Sequence, residues 1–381
     1  MKILKILLVS PLDPDQPQEL KYLMGGENTY TRMLLAHPPQ GIKFVHFEEA
    51  LRQGSISYNP LQNLLLWLQK LRILPLGPRV IAIRIHERYD LIYAHGHPVR
   101  VFGPKIPLVI SDSSSNLVFL ERYLKWPKWR NRLGQYIKLI IYNACGVIDG
   151  EVNSDVATRK FVFSRWARKI KQQMGLGEFE VIYPGLNIPP VKEGSRFSNW
   201  RTTKNIKILF VGVWFERKGG RILLKVFRRL VKRYQNIDLT ILGQLPFDVS
   251  IYQSEHIKHK EFVSYKELLQ NYKSHDILVH VPPEIEGYGM TVPEAMSYGM
   301  VPVVSDICAL PEFVEDGISG LVVKAGSEIE LEKALTELII NKKFRQGLSL
   351  EARKRFVEKF SLPVMHKKLS ALFLEVSRTS I

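Results

Sequence analysis

The sequence predicts an α/β protein of two doubly wound parallel-sheet domains, and three observations predict it. Short apolar runs alternate with amphipathic helical segments from end to end, the pattern of parallel strands joined by crossover helices. At 381 residues the chain is too long for one compact core and suits two domains of about 170–190 residues. A stretch rich in Pro, Gly, Ser and charge interrupts the alternation midway and reads as a linker. The predicted division is 1–184, a linker over 185–205, a second domain over 206–360 and a terminal helix within 361–381.

In the first domain the apolar run Lys5–Val9 is the opening buried strand. Its basic and apolar start superficially looks like a leader peptide. The run is short, lacks a small-residue cleavage site and ends at Ser10–Pro11, so a strand is the better reading. A helix is expected over Thr29–Ala36, with further strands at Phe44–Phe47, Leu91–Ala94, Leu108–Ile110, Gly146–Asp149 and Val181–Ile182. The segment Leu61–Leu71 reads as a helix that turns Trp67 toward the core; an apolar surface is the alternative. The second domain restarts with Lys207–Val211, a loop through Gly212 and Lys218, and the helix Arg221–Tyr234. Strands follow at Leu239–Leu242, Lys260–Phe262, Ile277–His280, Val301–Val304 and Leu321–Val323, and the chain closes with a helix over Pro363–Val376.

Composition bounds the function classes. Hydrophobic residues make up 45% and charged ones 24%, as in a globular protein, and no apolar run approaches the roughly 20 residues that span a bilayer. The two cysteines, Cys145 and Cys308, give no disulfide framework, so they read as core thiols of a cytoplasmic protein. A formal charge of +17 calls for an anionic partner. Lys and Arg outnumber Asp and Glu by 25 to 15 in residues 1–185 and by 29 to 22 afterwards, so the larger excess is N-terminal. Two segments concentrate it, Glu121–Lys138 and Arg159–Lys171, with Trp126, Trp129 and Trp166 interleaved, a composition suited to an anionic membrane interface. Nucleic acid is the competing partner, but no helix-turn-helix, zinc or RNA-binding signature accompanies the charge, and none is expected.

The most informative run is 283–320. Glu286 and Glu294 stand with seven residues between them, around a turn in which Gly287 and Gly289 flank Tyr288. Glycines there can take positive φ and let backbone approach a ligand. Pro293 suits the first position of a helix with Thr291 or Val292 as its cap, which places Glu294 in the first turn and Glu286 in the preceding loop. Free N–H groups and the helix dipole suit phosphate. His95 and His97 follow a predicted strand at its C-terminal edge, where they would bind sugar or phosphate, or cap a loop. No metal-chelating Asp-x-Asp tract and no Gly-x-Gly-x-x-Gly fingerprint is present, so neither a metal nor a nicotinamide cofactor is expected.

With its Gly-Tyr-Gly turn and the tail PEFVEDGISG, this run resembles the Glu-x7-Glu signature of retaining glycosyltransferases with two Rossmann-like domains, the GT-B fold, and most closely family 4. The resemblance implies two such domains facing across a cleft, with the last helix crossing back to the first. It implies a nucleotide-diphosphate sugar as donor substrate, no cofactor, and a sugar or glycolipid hydroxyl as acceptor. Glu294 would meet the ribose hydroxyls and Glu286 the donor sugar, while Tyr288, Gly289, Met290 and Thr291 present backbone N–H groups. Lys218, before Gly219-Gly220, matches the phosphate-binding lysine, Gly25-Gly26 the N-terminal glycine pair, Gly212 the strand-end glycine and Val263 the nucleobase contact. Two positions depart from the family. Val213 stands where an arginine is usual, with Arg217 as a nearby substitute, and a Ser-Asp-Ser tract replaces a histidine, leaving Asp112 as the N-domain catalytic candidate. The expected protein is a metal-independent transferase, cytoplasmic and peripheral on the inner face of the membrane, acting on a lipid-linked or surface-polysaccharide acceptor. A sugar-nucleotide epimerase of the same fold, or a basic nucleic-acid-binding protein on an inactive scaffold, are the rival readings.

Overall fold

The computed structural model describes residues 3–12, 26–71, 73–74, 78–113, 127–186, 205–245 and 254–378. They form two units: one is built mainly from Glu27–Gly185 with the first strand and the C-terminal helix, the other from Leu186–Ser361.

The first unit contains β1 (Leu4–Val9), α1 (Gly26–Ala36), β2 (Ile42–His46), α2 (Phe47–Arg52), β3 (Ile56–Tyr58), α3 (Leu61–Lys70), β4 (Ile81–Ile85), β5 (Leu91–His95), β6 (Val99–Phe102), β7 (Leu108–Asp112), α4 (Lys128–Cys145), β8 (Arg159–Val162), α5 (Arg165–Gln173) and β9 (Glu180–Val181). Six strands make one sheet in the order β2-β1-β5-β7-β8-β9, and every neighbouring pair is parallel. A strand covered on both faces must be apolar throughout, and β5 is buried at all of its positions.

Two expectations fail here, and two elements were not foreseen. Gly146–Asp149 is no strand, because Gly146 ends α4 in the left-handed region at φ 61°, and Ile148 makes only an isolated bridge to Val99. The strand that joins the sheet is β8, whose basic start hid it in a segment read as surface. The small sheet β3-β4-β6 was not anticipated. Trp67 does not face the core; it is 55% exposed, and α3 buries Leu65 and Gln62 instead.

Buried charge ties α4 and α5 to the strand ends. Lys171, wholly buried on α5, gives its Nζ to Asp112 Oδ2 at 2.7 Å and to the Gly150 carbonyl at 3.0 Å. Lys138 on α4 lies 2.7 Å from Asp149 and 3.2 Å from Glu151. Burial opposes the charge of Lys171, but Asp112 and Glu151 outweigh it and hold its pKa above the ordinary value. The segment Arg159–Lys171 is thus folded into the unit: Lys171 is internal, and Trp166 packs on the small core of Val162, Ala167 and Phe179.

The second unit contains β10 (Ile206–Val211), α6 (Gly220–Arg233), β11 (Ile237–Leu242), β12 (Ile257–Lys260), α7 (Tyr265–Ser274), β13 (Ile277–His280), α8 (Thr291–Ser297), β14 (Val301–Ser305), α9 (Leu310–Phe313), β15 (Leu321–Val323), α10 (Glu328–Ile340) and α11 (Lys342–Lys359). Its sheet runs β12-β11-β10-β13-β14-β15, all parallel. Strand order therefore reverses between β10 and β13, and in open α/β sheets ligands bind beyond the C-terminal ends of the strands at such a switch point. The edge strand β12 sits three residues earlier than expected, pairing Ile257 with Leu239 and leaving Phe262 exposed. The last helix, α12 (Leu362–Arg378), belongs to the first unit, where Phe373 packs edge-on to Phe44 and against Tyr93.

Removing the buried Lys171 ammonium strands the Asp112 carboxylate. Lys171→Met is expected to cost about 3–5 kcal/mol of unfolding free energy in urea, and the added change Asp112→Asn to recover part of it. A cost within roughly 0.5 kcal/mol, typical of an ordinary surface change, would contradict the assignment.

Candidate active site

The switch point between β10 and β13 is where the chemistry gathers. After β10 the chain turns through 213–219 and closes with Gly219 at φ 86°. A Cβ on Gly219 would lie 2.0 Å from the Val281 carbonyl oxygen, so only glycine lets this loop press against the chain leaving β13. Lys218, the residue before it, is thereby held over the strand ends. Its Nζ meets Glu286 Oε2 at 2.5 Å. From the same loop Arg217 brings Nη1 to 3.5 Å from Glu286 Oε1, with its guanidinium over the Trp214 ring at 5.2 Å.

Glu286 is 4% exposed and satisfied on every side. His280, the last residue of β13, places Nε2 3.1 Å from Oε2, and the Gly287 amide donates to Oε1 at 2.9 Å. A carboxylate oxygen only accepts, so His280 carries its proton on Nε2 and its Nδ1 accepts from the Thr291 hydroxyl at 3.4 Å. Burial lowers the pKa of His280, which keeps the ring neutral. Burial raises that of Glu286, but Lys218, His280 and Arg217 outweigh it and hold the carboxyl well below its ordinary value. Burial pulls Lys218 down, partly offset by Glu286. The ion pair stands because its carboxylate has three further donors that a neutral acid would forfeit.

Glu294 lies in the first turn of α8, with the opposite electrostatics. Among the described residues its carboxylate has one hydrogen-bond donor, the Tyr272 hydroxyl, which donates to Oε2 at 2.7 Å. Burial raises its pKa from 4.5 to about 7, against the pull of that one bond. The helix starts earlier than expected: Thr291 is its first residue, Met290 caps it without a side-chain bond, and Pro293 falls third. Gly289 at φ 79° already turns the backbone and accepts from the Val292 amide, which starts the helix two residues ahead of the proline. Gly287 is not in the positive-φ region, and a Cβ there would meet open space. Tyr288 points inward, edge-on to Phe313 at 4.8 Å. Val263 is half-buried beside Ser264, whose hydroxyl caps α7 by accepting from the Glu267 amide.

The second unit therefore brings together Gly212, Arg217, Lys218, Glu286, Gly289, Met290, Thr291 and Glu294 as the sequence suggested. Two partners were missed. His280 was legible as a polar residue closing an apolar strand, whereas Tyr272 carried no signal. The first-unit candidates behave differently. Asp112 is not a free catalytic carboxylate, since Lys171 holds its Oδ2, and burial raises its pKa despite that lysine. His97 bonds the Arg79 carbonyl at 2.8 Å, a loop cap, and burial pushes it down to about 4. His95 is buried and pushed down to about 3; its Nδ1 meets Ser111 Oγ at 2.8 Å, and its Nε2 has no hydrogen-bond partner among the described residues. Gly26 begins α1, and Gly25 lies outside the described residues.

Two parallel-sheet α/β units of this kind define the GT-B fold. Residues 191–355 match the family described as glycosyl transferases group 1. It is 29% identical over 252 residues to an uncharacterized 41.2 kDa protein in the cps region of Klebsiella pneumoniae, covering 62% of this chain and 66% of that protein. It is 23% identical to the capsular polysaccharide biosynthesis glycosyltransferase CapM of Staphylococcus aureus, over 44% of this chain and 46% of the relative. The chain thus spans less than two thirds of the length of these curated relatives. Among solved structures, Anabaena Alr3699/HepE in complex with UDP-glucose superposes with a TM-score of 0.62 at 16% identity, over 97% of this chain and 99% of that one. Sucrose-phosphate synthase from Thermosynechococcus elongatus gives 0.66 at 14% identity, over 99% and 100%.

The raised pKa of Glu294 has a consequence for stability. A carboxyl whose folded pKa lies above its unfolded value stabilises fully below the unfolded pKa and loses that contribution as pH rises through the folded one. Glu294 therefore withdraws stability as pH climbs from 4.5 to about 7. In urea titrations, Glu294→Gln is expected to gain on the parent by on the order of 3 kcal/mol between about pH 5 and about pH 8. Parallel pH profiles for the two proteins would contradict it.

Proposed function

We propose that this chain is a retaining, metal-independent glycosyltransferase that moves a sugar from a nucleotide-diphosphate donor to a hydroxyl acceptor. The observation that carries the reading is the gathering of Lys218 and Arg217 on one buried carboxylate at the switch point of the second sheet. Departure of a nucleoside diphosphate puts negative charge on phosphate oxygens, and preorganised cations at that spot lower the barrier without reorganising. In this reading Lys218 and Arg217 leave Glu286 in part to meet the diphosphate, so Arg217 serves in place of the arginine absent at Val213. Glu286, which they release, accepts from hydroxyls of the donor sugar beside the electron-poor anomeric carbon. Glu294 accepts from the ribose hydroxyls. Gly212, Gly289, Met290 and Thr291 bring backbone close to sugar and phosphate, Val263 meets the base, and Gly25-Gly26 serve the same ligand. The acceptor is a lipid-linked or surface polysaccharide, bound by the first unit at the inner face of an anionic membrane. The names of the relatives favour that acceptor, one of them a capsular polysaccharide glycosyltransferase.

The pair of cations gives the test. Lys218→Ala, Arg217→Ala and the double variant are compared for turnover with UDP-sugars and for UDP affinity by calorimetry, with EDTA present throughout. Each single change is expected to cost about a hundredfold to a thousandfold in kcat, and the double variant less than the product, because the two share one charge. Wild-type turnover in Lys218→Ala, activity that needs added metal, or conversion of the donor with no acceptor present would each overturn the reading.

A further inference from the structure

Helices α3 and α4 of the first unit expose more apolar surface than their packing explains. On α4 the buried face is Asn131, Lys138 and Tyr142. Roughly opposite it Trp129, Leu133, Tyr136 and Ile140, spaced four, three and four residues apart, fall on one stripe of the helix. All four are exposed, Trp129 at 68% and Tyr136 at 62%. On α3 and its cap, Leu64, Trp67 and Leu71 repeat the arrangement at spacings of three and four. Both helices cover the same small apolar cluster, α3 through Leu65 and α4 through Tyr142. Their outer faces therefore lie over one part of the unit.

The charge around the stripes says what fits them. Neither helix contains a single Asp or Glu in its 10 and 18 residues. Exposed Lys128 and Arg130 stand on either side of Trp129, Arg132 lies beside Leu133, and Lys70 closes α3. An apolar stripe with two tryptophans, edged by cations and free of carboxylates, matches a bilayer surface, where apolar side chains enter the headgroup boundary and cations meet lipid phosphate. A second copy of the same face would set these cations against each other with no carboxylate to offset them. No helix among the described residues is long and apolar enough to cross a membrane.

We infer that α3 and α4 together form a docking face for an anionic lipid bilayer. This deepens the membrane partner proposed above, adds α3 to it, and removes the segment Arg159–Lys171, whose Lys171 is wholly buried and whose Trp166 is partly buried against a small core. Of the segment Glu121–Lys138, residues 121–126, including Lys125 and Trp126, lie outside the described residues.

The test is sedimentation of the whole chain with vesicles of phosphatidylcholine alone or with phosphatidylglycerol, at low and high salt. Binding is read without any sugar transfer, so it fails or holds independently of the enzymatic reading. Substituted residues are exposed, which preserves the fold; unchanged thermal melting confirms it. Wild type is expected to bind only the anionic vesicles and to release in high salt. Both Trp67→Ser/Trp129→Ser and Lys128→Gln/Arg130→Gln/Arg132→Gln should weaken partitioning about tenfold or more, since each cation near such a surface contributes as much as about fivefold. Undiminished binding by both variants overturns the proposal. So does failure of wild type to bind anionic vesicles, including the case in which it sediments as a dimer that the tryptophan variant separates.

Discussion

The second unit depends on one buried carboxylate, Glu286. A carboxylate taken from water costs several kcal/mol unless opposite charge and hydrogen bonds replace the solvent. Here the replacement comes from four places: the Lys218 ammonium, the Arg217 guanidinium, the His280 imidazole and the Gly287 amide. Three pieces of the fold position these donors: the loop after β10, the end of β13 and the loop that follows it. Strand order reverses between β10 and β13, β13 ends on the histidine, and Gly219 folds the cationic loop against the backbone after β13. Losing any one of these placements would leave charge unpaired, so the constraint explains why a lysine, an arginine, a histidine and two glycines are arranged around one acid.

The two glutamates share a loop and a helix start, yet their surroundings drive them apart. Glu286 sits among donors that hold its pKa down, while burial raises that of Glu294 to about 7 despite the Tyr272 hydroxyl. Environment, not residue type, sets the roles that paired carboxylates can take. An ionised Glu286 holds the cations of Lys218 and Arg217.

Much of this was legible in the sequence, because parallel strands buried on both faces announce themselves as apolar runs. Ile277–His280 and Leu321–Val323 occupy the residues their pattern marks. The carboxylate spacing also marked the site, since Glu286 and Glu294 fall on either side of the turn that starts α8. What the sequence hid depended on distant partners. Asp112 looked available until Lys171, far along the chain, was seen to hold it. Tyr272 lies on another helix, and nothing local links it to Glu294. Trp67 was misplaced because apolar periodicity marks a face without saying whether protein or another surface covers it.

In the proposed reaction Lys218 exchanges its contact with Glu286 for one with the donor diphosphate. A crystal structure of the chain with bound UDP measures this most directly. The diphosphate is expected at the C-terminal ends of β10 and β13, with Lys218 Nζ and the Arg217 guanidinium on its oxygens and moved away from Glu286. A diphosphate bound elsewhere, or seated there with both cations still on Glu286, would contradict it.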